Sequence, residues 1–147
     1  MTTSVDAPAV LDTNVLVYAL DTAAPQHERA KAVCDAAAAG AFTAFITTQI
    51  VLEFVSIVTS TKRVARPISC AEAWEDVRQF IAAFTVLPLR PEDLPRLAAL
   101  SSALELTGPR IFDLGIAVSA LAAGVETICT YDASVFARVP GIRVVAP

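Results

Sequence analysis

Short apolar segments alternate with segments of helical periodicity along the whole chain. Ala9 to Leu11 is too short for a helix and is followed by Asp-Thr-Asn, whose residue types cap helices and close turns, so it predicts a strand. Strands are also predicted over 42–46, 85–89, 127–130 and 142–145. Helices are predicted over 15–20, between Pro25 and Gly40, over 49–61, from Ser69 to Phe84, from Pro91 to Thr107 and from Ile111 to Gly124.

This alternation of strands and helices indicates βαβ units, and therefore an α/β fold with a mainly parallel sheet and helices on both faces. At 147 residues the chain has the size of a single domain. We expect one domain over residues 1–147, with residues 1–7 as a loose N-terminal lead.

The apolar fraction of 55% and the mean hydropathy of +0.59 are high. They fit a sheet covered on both faces, together with a subunit interface. The longest uncharged run, 36–52, is short, is split by Gly40 and contains three Thr and a Gln, so we expect no membrane span. No basic segment precedes an apolar run near Met1, so we expect no signal peptide.

Cysteine and histidine usage argues against a zinc site and against a disulfide framework. Cys34, Cys70 and Cys129 are far apart in the sequence and the chain has one His. This pattern fits a reducing, cytoplasmic location. The net charge of −4 and the pI near 4.9 argue against a nucleic-acid-binding protein, which is usually basic. If four of the acids bind a divalent metal, however, the negative charges of those four acids account for the whole net charge, and the charges of the other residues cancel.

Glu53 is the most unusual acid in the chain. The predicted helix 49–61 is apolar except for one polar stripe formed by Gln49, Glu53, Ser56 and Ser60. An ionised Glu is seldom buried without a partner. Glu53 therefore either lies on a solvated face of an edge helix or has a functional partner.

Three further acids follow predicted strands or begin helices: Asp12, Asp113 and Asp132. Each of them alone is also explained as a helix cap, a first-turn acid or a turn residue. Because ligands of parallel α/β sheets bind beyond the carboxyl ends of the strands, these acids and Glu53 can point into one crevice. Such a cluster is unfavourable without a cation, and its oxygen ligands suit Mg²⁺ or Mn²⁺. The predicted chemistry is metal-assisted hydrolysis of a phosphate ester.

Four motifs together resemble the acidic signature of PIN-domain nucleases, and their order and the chain length resemble the VapC toxins of toxin–antitoxin pairs. The motifs are Leu11-Asp12-Thr13-Asn14-Val15-Leu16, Thr48-Gln49-Ile50-Val51-Leu52-Glu53-Phe54, Arg110-Ile111-Phe112-Asp113 and Thr130-Tyr131-Asp132. The likeness extends from about Ala9 to Val145.

The resemblance implies a three-layer α/β/α sandwich and an endoribonuclease that depends on Mg²⁺ or Mn²⁺. It also implies a homodimer and inhibition by a cognate antitoxin protein. Asp12, Glu53 and Asp113 match the three principal acids of the family and Asp132 matches a more variable fourth, all as catalytic metal ligands. Thr13 and Thr130 match hydroxyl positions that orient water or phosphate. Phe112 departs from the pattern, because many relatives have a polar residue there.

Four basic residues are candidates for contact with RNA phosphates: Lys62, Arg63, Arg66 and Arg110. The segment from Lys62 to Arg66 is more simply explained as a solvated loop.

Two other functions remain open at this level. A receiver-like signalling module would also bind Mg²⁺ through acids, but it needs paired acids after the first strand and a Lys after a late one. The chain has Asp-Thr-Asn after the first strand, and its lysines are Lys31 and Lys62. A catalytically inactive interaction module, with the acids as caps, predicts that Asp12, Glu53 and Asp113 lie far apart.

Overall fold

The computed structural model describes residues 5–147, which form five β-strands and six α-helices. The strands are β1 Ala9–Leu11, β2 Ala44–Thr47, β3 Thr85–Leu87, β4 Thr127–Cys129 and β5 Arg143–Val145. The helices are α1 Thr13–Leu20, α2 His27–Ala38, α3 Thr48–Val58, α4 Cys70–Ala83, α5 Leu94–Ala103 and α6 Arg110–Ala122. Short 3₁₀ turns cover Pro91–Asp93 and Phe136–Arg138.

The five strands form one parallel sheet in the order β3-β2-β1-β4-β5. The central strand is β1, in which Val10 is paired with Phe45 of β2 on one side and with Ile128 of β4 on the other. All three residues of β1 are fully buried. The predicted parallel α/β architecture is confirmed.

The direction of the chain across the sheet places the helices in two layers. The chain moves from β1 to β2 and β3 on one side, then crosses back to β4 and β5 on the other. Because crossovers between parallel strands are right-handed, α1 to α4 cover one face and α5 and α6 cover the opposite face. The sheet with its two helical layers is the α/β/α sandwich.

The apolar surplus is buried in this sandwich. Its largest fully buried side chains include Phe54, Phe136, Leu11, Leu16 and Ile46. Among residues 5–147, no helix combines the length and the apolar character that crossing a bilayer requires.

Local sequence signals determine where several helices begin. The Oγ1 atom of Thr47 accepts from the N–H of Ile50 at 3.1 Å and so caps α3. Ser69 and Glu72 form the predicted capping box at α4: the N–H of Ser69 donates to Glu72 at 2.8 Å, and the N–H of Glu72 donates to Ser69 at 3.2 Å. These side chains satisfy N–H groups that have no partner within the helix.

Two helices, α4 and α3, expose residues that were predicted to be buried. On α4 the predicted core stripe was wrong at Trp74 and Ile81, which are 39% and 53% exposed. The inner face uses Ala73 and Val77, both buried, and Phe80, whose ring meets Phe54 edge to face. Both stripes have helical spacing, so packing selects between them. On α3, which was expected to be buried outside its polar stripe, Leu52 is 61% exposed.

The predicted loose lead falls partly outside the described residues, since residues 1–4 are not described. Val5 is buried in the core, and Asp6 forms an ion pair with Arg143 of β5 at 3.0 Å. These two positions are attached to the domain.

Candidate active site

The candidate active site lies beyond the carboxyl ends of β1 and β4. These strands are neighbours, and the chain leaves the sheet on opposite sides of them, which creates the crevice where α/β proteins bind ligands. Asp12 directly follows β1, and its N–H donates to the carbonyl of Cys129 at 3.0 Å. Thr130 directly follows β4. The strand pairing therefore continues to the rim of the crevice and positions both residues there.

The four predicted acids line one cleft of about 370 Å³, which we call the carboxylate cleft. It is lined by Asp12 from the end of β1, Glu53 from α3, Asp113 from α6 and Asp132 from the segment after β4, together with Arg63 and other side chains. The prediction that these acids share a crevice agrees with this geometry.

Asp12 is 6% exposed and accepts hydrogen bonds at both carboxylate oxygens. The Oδ1 atom accepts from the N–H of Thr13 at 2.7 Å, so Asp12 does cap α1. The Oδ2 atom accepts from the Thr130 hydroxyl at 2.7 Å and from the Asn14 amide at 3.4 Å. Burial raises the pKa of Asp12 to about 6, the bonds from Thr130 and Thr13 oppose this, and the charges of Glu53 and Asp132 add to it.

Glu53 is half-buried and is held by two donors. The Thr13 hydroxyl donates to Oε2 at 2.9 Å, and the Gln49 amide donates to Oε1 at 2.9 Å. Gln49 lies in turn against Gly115 of α6, where an added Cβ would stand 3.3 Å from Oε1 of Gln49. The small residue on α6 allows α3 and α6 to approach closely at the cleft. Glu53 therefore has the partners that its apolar surroundings require.

Asp113 lies in the first turn of α6 and is partly buried. Burial is the main cause that raises its pKa to about 6, followed by the negative charges of Asp12, Glu53 and Asp132. All four carboxylates are therefore close enough to interact electrostatically.

Asp132 differs from the other acids because it is exposed and has a lowered pKa. Its carboxylate accepts from the N–H of Ser134 at 3.0 Å. Hydrogen bonds from Ser134 hold the pKa of Asp132 below its usual range, and the nearby positive charge of Arg110 acts in the same direction. Asp132 is accordingly an ionised carboxylate at the outer rim of the cleft.

The donor set of the cleft fits a hard divalent cation. Among the described residues, no ion pair joins any of the four carboxylates to Lys or Arg. Burial is the main cause of the raised pKa values of Asp12 and Asp113, and the negative charges of the neighbouring acids add to it. Within residues 5–147, however, no three acidic, His or Cys side chains are close enough to form a ready-made cage. Mg²⁺ often retains several waters and uses one or two carboxylates directly, so it does not need such a cage.

The two predicted hydroxyl residues contact carboxylates. Thr13 and Thr130 are 4% and 2% exposed, and their hydroxyls donate to Glu53 and Asp12, respectively. Their observed contacts are thus with the acids, which they orient.

The four predicted basic residues lie in different places. Arg63 lines the carboxylate cleft, whereas Arg66 lines an adjoining cleft beside Ile68 and Asp76 that none of the four acids lines. Lys62 is exposed, and Arg110 begins α6, from where its charge acts on Asp132. Arg63 is therefore the basic residue of the 62–66 segment that faces the acids.

Two polar residues of the site were not predicted as site residues. The Asn14 amide donates to the Thr130 hydroxyl at 3.1 Å, and its oxygen accepts from the N–H of Tyr131 at 3.2 Å, so Asn14 joins the ends of β1 and β4. Gln49 orients Glu53 from one helical turn before it. The sequence contains a signal for each of them, since Asn14 lies in the motif after β1 and Gln49 belongs to the polar stripe of α3.

Comparison with known proteins identifies one family. A family model described as PIN domain matches residues 9–142, which is most of the chain. A search of curated proteins finds no match for the sequence.

Several solved structures of VapBC and VapC proteins have a similar fold. VapBC2 from Rickettsia felis, bound to a promoter DNA fragment, is 19% identical, with a TM-score of 0.66 over 95% of this chain and 98% of that chain. VapBC-1 from nontypeable Haemophilus influenzae is 14% identical, with a TM-score of 0.68 over 95% and 97%. VapC20 from Mycobacterium tuberculosis, a Sarcin-Ricin loop cleaving toxin, is 10% identical, with a TM-score of 0.67 over 88% and 93%. At these identities the similarity establishes the fold.

Proposed function

Because this chain belongs to the PIN domain family, we propose that it is a divalent-metal-dependent endoribonuclease and the toxin component of a toxin–antitoxin pair. The observation that carries the proposal is the carboxylate cleft, in which four acids from separate elements gather without a protein cation bound to them. An arrangement that raises the pKa of two of its acids is unfavourable for stability and is typical of functional sites.

Asp12, Glu53, Asp113 and Asp132 are the residues that would hold Mg²⁺ or Mn²⁺, and they would be the catalytic acids. A divalent ion at this site would supply activation of water and stabilisation of negative charge on a phosphodiester. These ions prefer oxygen ligands, and among residues 5–147 no His or Cys, which softer metals favour, lines the cleft.

The chain's own polar residues hold the acids in position for this chemistry. Thr130 and Thr13 fix the orientation of Asp12, while Thr13 and Gln49 fix that of Glu53. Such partners around metal-binding carboxylates restrict their rotation and tune their basicity. We further propose that Thr13 and Thr130 help orient water or phosphate through the carboxylates they contact. Arg63 lines the same cleft and offers a positive charge to a phosphate group.

The proposed partners are an RNA substrate, a cognate antitoxin protein and a second copy of the chain in a homodimer. Structures with the same fold include the VapBC complexes and the Sarcin-Ricin loop cleaving toxin described above, which supports this choice. We place the protein in the cytoplasm, since Cys34, Cys70 and Cys129 are all free thiols.

The alternative functions receive less support. Asp12, Glu53 and Asp113 line one cleft, whereas an inactive module with the acids as caps predicts that they are far apart. A receiver-like module needs a Lys beyond a late strand, but Thr130 and Tyr131 follow β4.

Cleavage of total RNA by the purified protein tests the proposal. The protein should cut RNA with Mg²⁺ or Mn²⁺ and stop when EDTA is added. The Asp113→Asn variant should lose activity by several orders of magnitude while its circular dichroism spectrum stays unchanged. Equal cleavage by wild type and Asp113→Asn would refute the proposed site.

A further inference from the structure

We propose that Phe112 is a stacking platform for an unpaired nucleobase of the substrate strand, next to the carboxylate cleft. The identity of the ligand as a nucleic acid rests on the proposed function. The position and the exposure of Phe112 are observed in the structure and do not depend on the proposed function.

Two large apolar side chains are exposed directly beside the acids. Phe112 precedes Asp113 on α6 and is 57% exposed, and Leu52 precedes Glu53 on α3 and is 61% exposed. Together with Pro109 they line a cleft of about 470 Å³, which we call the Phe112 cleft. An aromatic ring left in water beside a catalytic cluster forgoes the stabilisation of burial, which points to a ligand that covers it.

The Phe112 cleft is continuous with the carboxylate cleft. Glu53, Asp113 and Arg63 line both of them. A nucleotide strand whose phosphate lies at the acids would therefore carry its adjacent base toward Phe112, with Arg63 beside the backbone. Aromatic side chains combined with a positive charge along the backbone are the usual means of binding single strands.

The size of the apolar surface fits a base better than a protein partner. The apolar part of the Phe112 cleft consists of Leu52, Ile57, Pro109 and Phe112, and it is bordered by Ser56 and by charged residues. Stable protein–protein interfaces usually involve about 20–30 residues on each side, many more than the apolar residues of this cleft. A single base covers one aromatic ring, so a nucleobase needs no more surface than this cleft presents.

The proposal predicts that the protein prefers single-stranded RNA. Every base has a π face, but in a duplex that face is already stacked on its neighbours. Binding on Phe112 thus requires a strand end, a loop or a bulge.

Binding of two fluorescein-labelled probes tests the platform. One is a short oligoadenylate and the other is the same ribose–phosphate chain with abasic positions. Both are titrated by fluorescence anisotropy with Ca²⁺ in place of Mg²⁺, so that a cation occupies the oxygen ligands. Phe112→Ala should weaken binding of oligoadenylate about tenfold and leave the abasic chain unaffected, because only the base stacks. Phe112→Trp should retain or improve the affinity.

Trp74→Ala is the matched control, since Trp74 is also a partly exposed aromatic residue but lies on α4 and lines neither cleft. It should leave both affinities unchanged. Equal affinities of Phe112→Ala and wild type for oligoadenylate, or no binding by wild type, would overturn the platform. So would a shift from dimer to monomer in Phe112→Ala with RNA binding unchanged, which would assign the residue to a subunit interface. Base-dependent binding through Phe112 without RNA cleavage in Mg²⁺ would refute the nuclease and retain the platform.

Discussion

The hydroxyl of Thr13 donates to Oε2 of Glu53 at 2.9 Å and so joins two residues 40 positions apart. Thr13 is the first residue of α1 and is separated from β1 by Asp12 alone, and Glu53 lies in the middle of α3. The bond connects the end of the central strand to the helix that supplies the second acid. It also leaves Oε1 of Glu53 to the Gln49 amide, so both oxygens have a protein donor.

Removal of the Thr13 hydroxyl should weaken metal binding. In Thr13→Val the Glu53 carboxylate loses one of its two donors and gains rotational freedom. Partners of this kind typically change metal affinity by about 10- to 100-fold, so half-maximal activity should need about tenfold more Mg²⁺ or Mn²⁺. Thr13→Ser, which keeps the hydroxyl, is the control and should resemble wild type. An unchanged metal requirement in Thr13→Val would show that this bond does not position Glu53.

In metal-free protein, the stabilising contribution of Asp12 and Asp113 should be lost as the pH rises from about 4 to about 6. A carboxyl group whose pKa is raised by folding binds its proton more tightly in the folded state, so stability is lost as the pH rises through its folded value. Asp12 rises from 3.8 to about 6, and each pKa unit corresponds to about 1.4 kcal/mol, so Asp12 contributes about 3 kcal/mol to this loss. Asp113 adds a contribution of the same sign.

Thermal unfolding in EDTA at pH 5 and pH 7.5 measures this dependence. Carboxylates with lowered pKa values, such as Asp93 and Asp132, change the stability in the opposite direction, so the variant is compared with wild type. The melting temperature of Asp12→Asn should rise relative to that of wild type from pH 5 to pH 7.5, because the amide keeps the hydrogen-bonding shape without the titrating charge. Addition of Mg²⁺ should raise the melting temperature at pH 7.5, since a ligand of the folded state stabilises it. A difference in melting temperature between Asp12→Asn and wild type that is the same at both pH values would contradict the raised pKa of Asp12.

Neutralisation of Arg63 should reduce the salt dependence of RNA binding. Arg63 lines the carboxylate cleft and the Phe112 cleft, so Arg63→Gln should weaken binding and reduce the slope of log K against log salt by about one. Arg66 lies three residues further on and faces a different cleft, which makes Arg66→Gln the matched control. Equal slopes for wild type and Arg63→Gln would exclude Arg63 from the phosphate path.

Local patterns were sufficient to predict the order of the elements and much of the sheet. The short apolar run before Asp12 is a strand, and the Ser69 and Glu72 capping box starts α4. The faces of the helices were less predictable. Trp74 and Ile81 fit a helical stripe as well as Ala73 and Phe80 do, and only the position of α4 against Phe54 decides which stripe is buried.

The active site, like the fold, was predictable from the sequence only in part. The acids were identified from their residue types and their positions after strands, and family membership is confirmed by the match over residues 9–142. Asn14 and Gln49 were missed as site residues because their partners, Thr130 and the Glu53 carboxylate, are identified only by the folded geometry. The separate locations of Arg63 and Arg66 were not apparent from a five-residue basic segment.

Short-range periodicity and residue chemistry depend on neighbours in the chain, so they were enough to predict the strand and helix pattern, the parallel α/β class and the candidate acids. The tertiary structure alone decided that Thr130 contacts Asp12 at a separation of 118 positions and that Phe112 and Leu52 remain exposed beside the acids. Those contacts depend on how helices and strands distant in the chain pack against one another, which the hydrophobic periodicity within one element does not specify.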